Sequence, residues 1–145
     1  MGYELPAVPT PAGSYVPAVR SGSFVFTAGQ LPLISGELSH TGKVGDSVSV
    51  EEARECARIC ALNALAAAAE ESGGINRIGR VVKVTGFVAS AAGFTRQPEV
   101  INGTSDLLGE VFGEAGRHAR SAVGVSELPL DAPVEVEIIV ELESL

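Results

Sequence analysis

The sequence predicts an α+β protein: one mixed β-sheet with two helices packed on one face. Three observations carry this reading. A long, well-capped helical pattern runs from about Val50 to about Ser72. A shorter apolar stripe of helical period covers residues 98–112. Stretches that alternate with period two lie before, between and after them, in the order β-β-(β)-α-β-α-β-β.

Residues 1–12 are Pro-rich and read as an extended N-terminal segment of a single domain spanning 1–145. "YVPAVRSGSFVFTAGQLP" then gives two short strands around the turn Ser21 to Ser23. Phe24, Phe26 and Ala28 alternate with Val25 and Thr27, Gly29 ends the strand, and Pro32 marks the exit. Residues 33–48 are rich in Gly, Ser and Thr and read as loop with room for one short strand.

The long helix has its own punctuation. Ser49 and Glu52 have capping-box spacing, and Gly73 suits the position after the last turn. Its apolar face is Ala53, Cys56, Ala57, Cys60, Ala64, Ala67 and Ala68, small enough for the helix to lie close on a sheet. Glu51, Arg54, Glu55 and Arg58 line the opposite side, but Leu62, Ala66 and Ala69 continue that side. The second half is thus apolar nearly all round and needs cover on more than one side, for which a partner subunit is the candidate.

Arg80 to Ser90 forms the next strand, with Val82, Val84 and Val88 on one side and Val81, Lys83, Thr85 and Phe87 on the other. In the second helix Pro98 suits the first turn, while Gly103 costs about 1 kcal/mol relative to Ala. Ala119 to Val125 and Val134 to Glu143 close the chain as strands. The second sheet face needs cover too, again from another copy.

The 145 residues are 46% hydrophobic but only 5% aromatic, with no Trp and 17 Gly, which points to closely packed small side chains. A net charge of −8 disfavours nucleic acid and acidic membrane surfaces as partners. No basic leader with an apolar stretch opens the sequence, and no apolar run is long enough to span a bilayer, so a cytoplasmic location is expected. Cys56 and Cys60 share one side of the helix and read as small buried residues rather than a redox or metal pair. With two histidines in the chain, no metal site is expected.

No P-loop, dinucleotide fingerprint or G-x-S-x-G elbow is present. What remains is a set of polar residues at strand margins. Arg120 opens an otherwise apolar strand in "HARSAVGVSELP", and its planar guanidinium can grip a carboxylate through two parallel hydrogen bonds. Glu135 and Glu137 project from a strand otherwise made of Val and Ile. From the residues alone, a structural ion pair between Arg120 and Glu135 stands beside a binding role for each. His118 reads first as a hydrogen-bonded or solvated residue, with catalysis as the alternative, and Tyr15 reads as a packing residue.

The segments "GSYVPAV", "FTAGQLP", "GKVGDSVSVEEARECARICALNAL", "VVKVTGFVAS", "VINGTSDLLGEVFG", "HARSAVGVSELP" and "VEVEIIVEL" occur in that order. Together, from about Gly13 to Leu142, they resemble the RidA/YjgF family of enamine/imine deaminases, in its longer branch labelled endoribonuclease L-PSP-like. The resemblance implies a chorismate-mutase-like fold and a homotrimer with three clefts between subunits. It implies that Arg120 clamps a substrate carboxylate and that Glu135 positions or activates water. Tyr15, Gly29 and Asn102 would line the same cleft. Two positions depart from the pattern: Ala28 stands where the deaminases carry Ser, and Ala122 where they carry Cys.

The expected function is hydrolysis of small enamines or imines bearing a carboxylate, such as 2-aminoacrylate, without metal or cofactor. A non-catalytic trimeric module that binds a small carboxylate metabolite is the alternative, favoured by Ala28 and Ala122. A ribonuclease would need His118 or His40 as acid/base beside a basic groove, against the charge of −8.

Overall fold

Helix α1 (Val50–Ser72) starts where local chemistry dictates. The Ser49 hydroxyl accepts from the Glu52 amide at 3.1 Å, and the Glu52 carboxylate accepts from the Ser49 amide at 2.9 Å. The helix ends at Gly73, whose φ of 88° is the left-handed conformation that a glycine adopts freely. All seven small residues of the expected apolar face are buried.

In the computed structural model, which describes residues 4–144, α1 and α2 (Gln97–Phe112) roof one face of a five-stranded sheet. The strands are β1 (Ala18–Ser21), β2 (Phe24–Thr27), β5 (Ile78–Ala89), β6 (Ala119–Val125) and β7 (Val134–Leu142), in the order β1-β2-β7-β5-β6. Only β5 and β6 run parallel, joined by α2 as a crossover; every other neighbour is antiparallel. Between β2 and α1, β3 (Leu33–Ile34) and β4 (Glu37–Leu38) make a small separate hairpin, two strands where one was expected.

Two glycines let the layers meet. A Cβ at Gly103 of α2 would stand 2.1 Å from the Arg54 carbonyl oxygen of α1. A Cβ at Gly86 of β5 would stand 2.4 Å from Ile101 Cδ1 of α2. The helix-weakening Gly103 is therefore a point of close approach between the helices, beside which Thr104 Oγ1 donates to the Ala57 carbonyl at 2.7 Å.

Two expectations change. β5 begins at Ile78, and its inward residues are Val81, Val84 and Val88, not Val82. A register shift between Val81 and Lys83 against β7 adds a residue and switches the side on which Val82 lies. The second half of α1 is also covered in part within the chain: Ala66 and Ala69 are buried, and a cavity lined by both of them runs along residues 5–11 of the N-terminal segment, while Leu62 stays half-buried. Residues 4–17 form no helix or strand, and residues 1–3 of the expected extended segment lie outside the described residues.

Among the described residues, nothing comparable covers the sheet face away from the helices. Val19, Phe24, Phe26 and Val123 remain exposed there, alongside Glu135 and Glu137.

Candidate functional site

Arg120 lies on the edge strand β6, opposite Val84 of β5, which faces Ile138 of β7. Both neighbours are buried, so Arg120 projects on the helix-covered side. There α2 offers three acceptors spaced four and three residues apart, one stripe of a helix. Arg120 Nη1 donates to Asn102 Oδ1 at 2.8 Å and to Ser105 Oγ at 3.0 Å, and Nη2 donates to the Pro98 carbonyl at 3.1 Å. Nε–H and one Nη2 hydrogen have no acceptor among the described residues, so part of the guanidinium fork is held and part is available. Ala122, two residues on and on the same side, packs against the core opposite Gly86.

Glu135 sits in β7 opposite Phe87, whose other neighbour is Val123 of β6. Val134 and Val136 on either side are buried under the helices, so Glu135 projects to the open face. It is half-buried and accepts no hydrogen bond from the described residues. Burial, and then the neighbouring Glu137 charge, push its carboxyl above the usual carboxylate range. The carboxylate lies over the bare Cα of Gly29, where a Cβ would stand 2.2 Å from Oε2. Gln30 ties this loop to β7 by exchanging backbone hydrogen bonds with Val136 at 2.8 and 2.9 Å.

Tyr15 is 50% exposed, and its hydroxyl accepts from the Ala12 amide at 3.2 Å. It lines a cavity of ≈ 800 Å³ together with Gly29, Ile59, Leu62 and Asn63.

The six expected residues thus fall into two groups. Glu135 contacts Gly29, which shares a cavity with Tyr15; Arg120 contacts Asn102, with Ala122 beside them. The two charged residues occupy opposite faces of the sheet, so the ion pair between Arg120 and Glu135 is not formed within the chain. Register is the reason: Arg120 aligns with Val84 and Ile138, Glu135 with Phe87 and Val123. Asn102, expected to line the ligand, turns its Oδ1 to Arg120. Ser105 and the Pro98 carbonyl were not anticipated, although their spacing around Asn102 was a visible signal.

The histidines are both engaged. His118 Nε2 lies 2.8 Å from Ser105 Oγ, and Nδ1 lies 2.6 Å from the Gly116 carbonyl. His40 Nε2 is 3.2 Å from Glu52 and Nδ1 is 3.6 Å from Cys56 Sγ. Cys56 and Cys60 are free and buried, and burial pushes both thiols up, which suits small core residues. Among the described residues no group of three or more His, Cys, Asp or Glu could hold a metal ion, and no helix is long and apolar enough to cross a membrane.

A mixed sheet roofed by two helices, with a tethered arginine on its edge strand, defines a two-layer α+β protein. The comparisons agree. The family model described as "YjgF/chorismate mutase-like, putative endoribonuclease" matches residues 1–142. Protein TCP17 of Trypanosoma cruzi is 46% identical over 145 residues, 99% of this chain and 91% of that protein. The 2-iminobutanoate/2-iminopropanoate deaminase of Dermatophagoides farinae is 34% identical, covering 95% of this chain and 93% of the relative. The crystal structure of Atu1372, a protein of unknown function from Agrobacterium tumefaciens, superposes with a TM-score of 0.88 at 46% identity, over 99% of this chain and 88% of that one. E. coli TdcF with bound serine superposes with a TM-score of 0.68 at 28% identity, over 94% of each chain. The chain belongs to the YjgF/chorismate mutase-like family, which includes deaminases of the RidA type.

Proposed function

We propose that this protein hydrolyses small reactive enamine and imine carboxylates of the 2-aminoacrylate type to 2-oxo acids and ammonia. The reaction takes place in clefts shared between copies of the chain in a homotrimer. The observation that carries this reading is Arg120: a guanidinium fixed at three points, with donors left over, at an exposed sheet edge. A planar carboxylate is the ligand such a fork fits best. Deaminase-named relatives and a family structure with bound serine support the same ligand chemistry.

The uncovered sheet face supports the assembly. Its apolar residues need a partner surface, and a second copy seated there brings its Arg120 edge toward Glu135 and Gly29 of the first. The substrate carboxylate is then held by one copy and its reacting carbon faces the carboxylate of the other. A proton from solvent adds to the methylene carbon and turns the enamine into an iminium, and water adds to C2. Glu135 takes a proton from that water and returns it to the amine; the C–N bond then breaks, ammonia leaves, and the C2 hydroxyl gives up its proton to solvent as the carbonyl forms. A raised carboxyl affinity for protons suits both halves of this exchange. Fixing the carboxylate against the water lowers the entropic barrier.

The binding-module reading keeps one specific support: Ala28 and Ala122 put methyl groups where polar side chains could assist chemistry. The ribonuclease reading is supported by the family description, which includes "putative endoribonuclease", and is opposed by the net charge of −8 and by the hydrogen bonds that both histidines make to protein groups.

A dehydratase that generates 2-aminoacrylate, with 2-oxo acid release followed in the presence and absence of this protein, tests the activity. Wild type is expected to accelerate release. No acceleration, with a carboxylate still bound, would leave the binding module. Mixing Arg120→Ala and Glu135→Gln chains after unfolding and refolding tests the shared cleft. Random mixing leaves about a quarter of the interfaces with both wild-type residues, so about that share of activity returns. No recovery would place Arg120 and Glu135 in separate sites.

A further inference from the structure

We propose that Ser105 and His118 are positioning residues that set the Arg120 fork, through a relay anchored at the Gly116 backbone. The inference deepens the carboxylate-clamp reading above and rests on it for its functional consequence.

The direction of each hydrogen bond follows from what the atoms can do. A carbonyl oxygen only accepts, so at 2.6 Å from the Gly116 carbonyl His118 Nδ1 carries the hydrogen. In the neutral ring Nε2 is then a bare acceptor, and the Ser105 hydroxyl, 2.8 Å away, donates to it. With its hydrogen turned to the imidazole, Ser105 Oγ presents lone pairs to Arg120 Nη1 at 3.0 Å. The chain reads Arg120 to Ser105 to His118 to Gly116, each group donating to the next.

Both ends of the relay are held by the fold. Gly116 is buried against α2, where a Cβ would stand 2.3 Å from the Leu108 carbonyl oxygen, so its backbone packs closely on that helix. Ser105 sits on α2 three residues after Asn102, the other acceptor of Nη1. Asn102 fixes one Nη1 hydrogen and the Pro98 carbonyl one Nη2 hydrogen. Ser105 with its hydroxyl locked fixes the second Nη1 hydrogen, so that both hydrogens of Nη1 are held and its rotation is slowed. His118 acts by removing the rotational freedom of the Ser105 hydroxyl and does not touch substrate.

Two readouts test this separately from the activity itself. In wild type, nitrogen NMR of the ring is expected to show His118 as the Nδ1–H tautomer; the Nε2–H tautomer would overturn the relay. Arg120 is expected to give separate Nη1 and Nη2 signals, from slowed rotation. They should merge in Ser105→Ala and His118→Phe and separate again in His118→Gln, whose amide oxygen restores an acceptor. Signals unchanged across the panel would overturn the proposal. In the dehydratase-coupled assay Ser105→Ala and His118→Phe are expected to raise KM about tenfold with kcat little changed, and His118→Gln to recover most of the loss. A fall in kcat at constant KM would overturn the positioning role. If wild type accelerates nothing, the deaminase reading fails, and the NMR arm still decides the relay.

Discussion

The two charged residues of the proposed site live in opposite surroundings. Arg120 is braced by three acceptors from one helix, beneath the roof of the sheet. Glu135 lies on the uncovered face with no donor among the described residues, pressed against a glycine and raised in proton affinity by burial. A group that grips a carboxylate gains from a single fixed orientation, because mobility would blur a two-point contact. A group that exchanges protons gains from the reverse, because a donor locked on its carboxylate would hold it ionised. The same domain supplies both environments by using the two faces of one sheet.

The contrast can be broken first at Arg120. Arg120→Ala is expected to lower kcat/KM about 100-fold, mainly through KM, in the dehydratase-coupled assay. Arg120→Lys should recover little, since a point charge cannot present the fork. An Arg120→Lys variant close to wild type would remove the bidentate clamp.

Glu135→Gln is expected to lower kcat by about 100-fold with KM nearly unchanged, the complementary pattern. It should also reveal the cost of the site. The folded-state pKa of Glu135 lies above its ordinary value of 4.5, so the ionised carboxylate opposes folding. That opposition is absent below 4.5, grows as pH rises from there to the folded-state value, and is full above it. Glu135→Gln should therefore melt higher than wild type at neutral pH and alike in acid, as scanning calorimetry would show. Equal melting at both would mean that burial does not strain the carboxylate.

The mildest change is Gly29→Ala. The new methyl has no room beside Oε2 and must push the carboxylate aside, costing on the order of tenfold in kcat while carboxylate binding persists. Wild-type turnover in Gly29→Ala would show that Glu135 need not lie where it does.

The elements differed in how far they could be read ahead. Both ends of α1 were legible because capping is local: Ser49, Glu52 and Gly73 interact within a turn of where they stand. The inward side of β5 was misread at Val82, because a bulge depends on how β7 aligns with it, and nothing within β5 encodes that alignment. Cover for the second half of α1 was sought in a partner, yet the chain's own N-terminal segment lies along it. Tyr15, Gly29, Asn102, Arg120, Ala122 and Glu135 were nameable from ordered motifs, but their grouping was not. His118, read first as a hydrogen-bonded residue, does make hydrogen bonds, to Ser105 and to the Gly116 carbonyl.

The sequence by itself determined the periodic elements, their caps, the family likeness and the identity of the chemically unusual residues. These rest on contacts within a turn or a strand, or on motif order along the chain. The tertiary structure decided which face each residue takes. Strand register put Arg120 under the helices and Glu135 on the open side. The closeness of α2 allowed by Gly86 and Gly103 brought Pro98, Asn102 and Ser105 to the guanidinium. A one-residue change of register reverses a strand's faces, so sidedness belongs to the assembled sheet and not to any one of its strands.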